Sequence, residues 1–282
     1  MARKTPPQMQ EFNVDLPNLK LTGGLAEAAR PVGIVVFVHG MGEHIGRYTG
    51  LFDHLSSHGF HCLGTDHPGH GHSPGKRGHV KDYNIFMDEL QGVIGYAQSH
   101  YPGLPLFLYG HSLGGNIVLN YLLRRPVTEI RAAIVSSPWL KLDTKVPPVK
   151  KFLSSVLARI SPGLTVSNEL DPRGISTIPE EVERYSKDPL VHDQISVGLF
   201  NSVTQAADYV LENGSKLKTP ILLMHGTADP ITSHLGSIQL EKSNEMLIDL
   251  KLFPGNHHEI HHDRSRDSLI HAVDTWLTSH LN

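Results

Sequence analysis

The chain holds one cysteine, Cys62, among 282 residues. No disulfide can form within it, which fits a reducing compartment without demanding one. No stretch reaches the roughly 18 to 20 consecutive apolar residues that a membrane-spanning helix needs. An excess of positive charge is missing too: 25 Lys and Arg face 28 Asp and Glu, a net charge of -3. Without a basic footprint for phosphates, no nucleic-acid partner is expected. Arg3 and Lys4 open the chain, but charged residues and prolines follow where the apolar core of a signal peptide would stand, so a cytoplasmic protein is expected. The length suits one domain with one inserted lobe.

What is abundant is histidine, with 20 residues. One cluster, His67, His70 and His72, lies in the Gly/Pro-rich stretch from Asp66 to Gly75. It lacks the fixed spacing of zinc patterns and reads as solvated loop histidines. A second cluster is His257, His258, His261 and His262 with Asp263. No metal and no cofactor is expected at either.

Val32 to Val38 is a continuous apolar, β-branched run bounded by Pro31 and Gly40, the pattern of a strand buried on both faces. Similar runs recur at Gly59–Thr65, Leu104–Tyr109, Ala132–Val135, Ile221–Met224 and Met246–Phe253. Helical patterns over Tyr83–His100, Leu113–Leu123 and Ser265–Leu281 alternate with several of them. The alternation predicts an α/β fold, a mostly parallel sheet with helices on both faces. Ahead of it, Glu11–Leu16 and Leu19–Leu21, bracketed by Pro17 and Gly23-Gly24, predict an antiparallel hairpin at the sheet edge.

After Pro138 no strand is expected until Ile221, a gap too long for a simple crossover. Val146, Val149, Leu153, Val156, Leu157 and Ile160 recur there at helical spacing, with Lys150, Lys151 and Arg159 off the stripe. Glu180–Tyr185 offers a second helix and Ile195–Leu211 a longer one returning to the core. The expected organisation is a first core part over residues 1–138, a helical cap over 139–195 and a second core part over 196–282. The apolar stripe suits transient contact of the cap with a membrane or micelle surface, and equally packing within the cap.

Gly110-His111-Ser112-Leu113-Gly114 follows one predicted strand and opens a predicted helix, the context in which a G-x-S-x-G elbow exposes a nucleophilic serine. Side chains at 110 and 114 would collide with neighbouring backbone in so tight a turn. A serine hydroxyl needs a base to take its proton, and the base needs a carboxylate to orient it. In chain order the acid comes next, and Asp229 stands just past the buried run beginning at Ile221. The next strand ends before His257, His258, His261 and His262, four candidate bases that composition leaves undistinguished. An oxyanion hole needs two backbone amides. Leu113 supplies one, and Met41, in the Gly-rich loop after Val38, the other.

Five segments in order, His39–Tyr48, Asp66–Ser73, Gly110–Gly115, Gly226–Asp229 and Gly255–His261, resemble the monoacylglycerol lipase and lysophospholipase-type family of α/β-hydrolases over nearly the whole chain. The resemblance implies the α/β-hydrolase fold, ester hydrolysis without cofactor, and a lipid ester as partner. It implies His258 as the base, with His257 where the family often has an aromatic residue and His261 as a second, non-catalytic histidine. It also implies a polar substrate-binding site for glycerol formed by Glu43, Arg47, His111 and Tyr185. The same residue types allow lysophospholipase or broad carboxylesterase activity. An aminopeptidase would need acidic groups in the cap, where Glu180, Glu181 and Glu183 are the available cluster.

Overall fold

Strand β3 (Gly33–Val38) shows how the sheet is built. All six of its residues are buried, with Ile34, Val36 and Val38 facing one apolar cluster and Val35 and Phe37 a second. Side chains alternate along a strand, so a continuous apolar run means a sheet covered on both faces. Strands β5 (Leu106–His111) and β9 (Ile221–Gly226) divide their side chains the same way.

A computed structural model describes residues 9–17, 19–126, 129–143 and 160–281. Among them an eight-stranded sheet runs in the spatial order β1 (Gln10–Leu16), β2 (Leu19–Ala26), β4 (Phe60–Thr65), β3, β5, β6 (Ile130–Ser136), β9 and β10 (Ile248–Phe253). The six strands from β4 to β10 are parallel, and β1 and β2 form the antiparallel edge. The hairpin was legible, but β2 continues through Gly23 and Gly24 instead of stopping there. A Cβ at Gly23 would lie 2.4 Å from the Gly64 carbonyl oxygen and 2.6 Å from the Phe12 ring. These glycines permit close strand packing and do not break the strand.

Helices α1 (Thr49–Ser57) and α7 (Arg266–Ser279) bury Phe52, Leu55, Leu269 and Val273 on one face of the sheet. Helices α2 (Asn84–His100), α3 (Leu113–Arg124) and α5 (Val197–Asn213) bury Phe86, Ile117 and Val203 on the other, joined by Leu240 of α6 (His234–Ser243). The six parallel strands end at one edge, where the loops after β3, β5, β6, β9 and β10 meet. Open parallel sheets place their ligands there.

Between β6 and β9 the expectation of no strand is corrected. Thr165–Ser167 (β7) and Gln194–Ser196 (β8) pair antiparallel, each too short to show a period. The Ser196 amide donates to Gly78 O at 2.8 Å, seating this pair on the loop that follows β4. Helix α4 (Pro179–Lys187) lies between them in sequence. The apolar stripe from Val146 to Leu157 lies outside the described residues.

The solvated reading of the first histidine cluster also needs correction, because His67 and His70 are buried and only His72 is exposed. The His67 amide donates to His39 Nε2 at 2.9 Å, so the His39 proton sits on Nδ1 and is donated to Gly40 O at 2.8 Å. His67 in turn places Nδ1 2.8 Å from Glu89 Oε2 and Nε2 3.0 Å from His39 O. Burial lowers its pKa, but the Glu89 carboxylate more than offsets that and leaves it raised. The loop after β3 thus rests on a buried ion pair.

Asn116 of α3 is fully buried and joins three parts of this layer. Its Oδ1 accepts from the Tyr83 hydroxyl at 2.5 Å, and its Nδ2 donates to the Trp139 carbonyl at 2.8 Å. Replacing it by leucine removes the donor to the buried Trp139 carbonyl and leaves the buried Tyr83 hydroxyl with Asn120 alone. Urea unfolding is expected to show Asn116→Leu destabilised by about 3 kcal/mol; a loss under about 1 kcal/mol would mean the network contributes little.

Candidate active site

Ser112 follows β5 and precedes α3 with φ 54° and ψ −116°, in the positive-φ region that costs a non-glycine residue on the order of 1–3 kcal/mol. The turn is held from both sides. The Ser112 amide donates to Ser136 O at 3.0 Å, and the Ser112 carbonyl accepts from Asn116 and Trp139, each at 3.0 Å. A Cβ on Gly114 would sit 1.9 Å from Val38 O, and one on Gly110 2.6 Å from Gly114 O. Only glycines let α3 begin this close to the end of β3. Leu113, the first residue of α3, has one of the amides without an intrahelical acceptor. Met41 has no backbone–backbone hydrogen bond among the described residues and lines the same pocket as Ser112.

Asp229, past β9, is buried and accepts five contacts. Its Oδ1 takes the Ile231 and Thr232 amides at 2.8 and 3.1 Å, and its Oδ2 takes the Thr232 hydroxyl at 2.9 Å. His258 Nδ1 lies 2.7 Å from Oδ2, and His225 Nε2 lies 3.2 Å from it. Burial acts to raise the carboxyl pKa, but the two histidines outweigh it and hold the group well below the carboxylate range. The same attraction reverses the desolvation of His258, whose pKa is raised. The other three candidate bases are not bonded to Asp229. His257 is turned toward Arg173 O at 3.1 Å, His261 stacks on the Tyr48 ring at 5.0 Å, and His262 lies 2.8 Å from Glu259.

Ser112 and His258 open on one pocket enclosing about 730 Å³ of empty space, its open mouth included. Trp139, Leu142, Leu170, Ile175, Ile195, Phe200 and Ile231 give it apolar walls, while Glu43, His111, Tyr185 and Glu259 form a polar end. Met41, Glu43, His111 and Tyr185 therefore meet Ser112 and His258 at the pocket. Asp229, Leu113 and Arg47 do not line it: the first stands behind His258, the second at the elbow, and the third one layer back. Burial and the neighbouring His258 push the His111 pKa down to about 3.

Arg47 is clasped by two carboxylates. Its Nε donates to Glu43 Oε2 at 3.1 Å, a terminal nitrogen donates to Glu259 Oε2, and the guanidinium lies 4.7 Å from the Tyr185 ring centroid. Glu43 Oε1 also accepts the Gly40 amide at 2.6 Å and the Tyr48 hydroxyl at 2.7 Å. The Glu43–Arg47 pair exists, but over a 3-10 turn at Ile45–Tyr48. Sequence reasoning missed Glu259, Thr232, Ser137 and His225. The first three carried a signal in position alone: beside a candidate base, three residues past a candidate acid, and directly after β6. Ser137 also has positive φ, and its hydroxyl donates to His258 O at 2.8 Å.

The family model described as "Serine aminopeptidase, S33" matches residues 29–265. The chain belongs to that family. Its similarity to the monoacylglycerol lipase of Mycolicibacterium smegmatis is 33% identity over 253 residues, covering 89% of this chain and 90% of the other. Among solved structures, the Paleococcus ferrophilus monoacylglycerol lipase superposes with a TM-score of 0.85 at 40% identity, over 92% of this chain and 99% of that one. A soluble variant of the Saccharomyces cerevisiae monoglyceride lipase, in complex with a substrate analog, gives 0.89 at 26% identity over 99% and 97%. The resemblance seen in the motifs thus holds for the whole chain, and the fold is the α/β-hydrolase fold.

Burial acts to raise the Glu259 pKa, but Arg47 and His262 hold it well below its ordinary 4.5. A carboxylate with a lowered folded pKa adds stability that is complete above its unfolded value and lost as pH falls through the folded one. Glu259→Gln leaves Arg47 with Glu43 alone, so a loss of about 3 kcal/mol is expected from urea unfolding at neutral pH, shrinking as pH falls below 4.5. An equal loss at every pH would contradict the ion-pair account.

Proposed function

We propose that this chain hydrolyses the ester bond of monoacylglycerols to a fatty acid and glycerol through an acyl-enzyme on Ser112. The observation that carries the reading is the joining of a strained serine, an Asp229-held histidine and a pocket apolar along its walls but polar at one end. The acyl chain occupies the apolar walls. The glycerol hydroxyls meet Glu43, His111 and Tyr185, with Arg47 behind them fixing Glu43. The ester carbonyl lodges against the Met41 and Leu113 amides, where a developing negative charge is stabilised.

His258 takes the Ser112 proton as the oxygen attacks, and Asp229 stabilises the imidazolium. His258 then protonates the departing glycerol oxygen. Water, deprotonated by the same histidine, releases the fatty acid and restores Ser112. Every step uses side chains and amides of this chain.

The family takes its name from a serine aminopeptidase, an activity that would need a free carboxylate to hold a substrate ammonium. The pocket's carboxylates, Glu43 and Glu259, are both committed to Arg47. Glu181 and Glu183 of α4 pair with Arg184 and Lys187, and neither they nor Glu180 line the pocket. This favours a neutral polar group at that end.

We assign residues 139–195 to a cap over the pocket, which Trp139, Leu142, Leu170, Ile175, Tyr185 and Ile195 support by lining it. The cap exposes Ile160, Leu164 and Val166 at 76, 43 and 46%, which supports transient docking on a membrane or micelle surface. Among the described residues no helix is long and apolar enough to cross a membrane. The buried, unpaired Cys62 supports a cytoplasmic setting.

Turnover measured across monoacylglycerols, lysophospholipids and simple esters is expected to give the highest kcat/KM for monoacylglycerols. Ser112→Ala should lower it roughly 10⁴-fold or more with an unchanged circular dichroism spectrum. A preference for lysophospholipids, or activity retained without Ser112, would overturn the reading. The docking proposal predicts that Ile160→Asp with Val166→Asp lowers co-sedimentation with phosphatidylcholine vesicles several-fold. Equal sedimentation would remove it.

A further inference from the structure

Beyond the pocket, α1 and α7 bring together three groups that the reaction does not use. His54 lies on α1, His58 directly follows its last residue, and Asp274 lies on α7. Their rings and carboxylate converge: one ligand atom from each lies within 4.8 Å of the other two. We propose that His54, His58 and Asp274 form a binding site for a divalent transition-metal cation, of which Zn²⁺ suits the two-nitrogen, one-oxygen donor set best.

The geometry prepares each donor. His54 Nε2 lies 3.0 and 2.8 Å from the two Asp274 oxygens, a shared edge close to the roughly 3.3 Å between neighbouring ligands of a tetrahedral zinc. A cation there takes the place of the Nε2 proton that His54 donates to Asp274, and the ring stays neutral by carrying its proton on Nδ1 instead. His58 donates from Nδ1 to His54 O at 2.7 Å, which fixes the tautomer that leaves the Nε2 lone pair available. The two rings stack at 4.2 Å, as residues four apart on one helical face do. His58 is exposed, so its ring can close the remaining distance without moving the core. A water completes the fourth position.

A second group, Glu259, His261 and His262, also has its donor atoms within 4.8 Å of one another. It is a poorer cation site because Glu259 is already paired with the Arg47 guanidinium, whose charge would repel a metal. Asp274 is instead paired with His54, one of the site's own donors.

The location gives the site a consequence. Helix α1 follows the loop that carries Met41 and Glu43, and α7 follows the loop that carries His258. A cation held by both helices fastens those two loops from behind, so its effect is on stability.

Zinc chloride titrated into the full chain in chelator-free buffer, followed by calorimetry, is expected to show one saturable site per chain. His58→Ala and Asp274→Asn should each weaken it by about tenfold or more, while His262→Ala leaves it unchanged. Zinc at a hundredfold excess over Kd should raise Tm by roughly 5 °C in the unsubstituted chain and not in His58→Ala. Because His58 is exposed, circular dichroism of that variant should match the original. Absence of one-to-one binding, binding that survives both substitutions, or binding lost with His262 would overturn the proposal.

Discussion

The close approach of α3 to the end of β3 governs the site. Gly114 lies where any side chain would strike the Val38 and His39 carbonyls, and this contact sets the distance between the elbow and the loop after β3. Three features follow from it. Ser112 is forced into a positive-φ turn, the α3 amides are brought beside Met41, and the loop holding Met41 must be rigid. Rigidity is supplied from below, where His39, His67 and Glu89 form a buried chain of hydrogen bonds ending on the Gly40 carbonyl. The constraint is local, yet it fixes the geometry between the proposed nucleophile and the proposed oxyanion donors.

Charge near an apolar pocket is costly, and at this site Asp229 and Arg47 are each held by partners. Asp229 is surrounded by two amides, a hydroxyl and two histidines, and Arg47 by two carboxylates and a ring. The two members of the Asp229–His258 pair act oppositely with pH. His258, with its pKa raised above 6.5, adds stability below that value that is lost as pH rises through the folded one. Asp229, with its pKa lowered below 3.8, adds stability above that value that is lost in acid. Between those limits both groups are charged and the pair contributes in full, whereas the proposed base accepts a proton only above its raised folded pKa, where the still-ionised Asp229 keeps the neutral ring oriented.

The order of elements was legible because buried parallel strands advertise themselves as β-branched runs, as at Val32–Val38, and because the elbow needs glycine at fixed positions. Boundaries drifted where glycine served packing instead of turning, as at Gly23. Strands β7 and β8 were invisible because three residues carry no period. The histidines show the limit most clearly. Composition could not separate His258 from its neighbours, since the distinction is made by Asp229, 29 residues away in sequence. Nor could it separate buried His67 from exposed His72, which depends on Glu89 reaching the loop from α2. Glu259 escaped notice because its partner Arg47 is 212 residues distant.

The proposed chemistry requires Ser112 to be an activated nucleophile in this pocket. The direct test is reaction of the intact chain with a fluorophosphonate probe, with the modified residue located by peptide mass spectrometry. One phosphonyl group per chain is expected, on Ser112, formed much more slowly in Asp229→Asn. Labelling at another residue, or none in a folded chain, would contradict it.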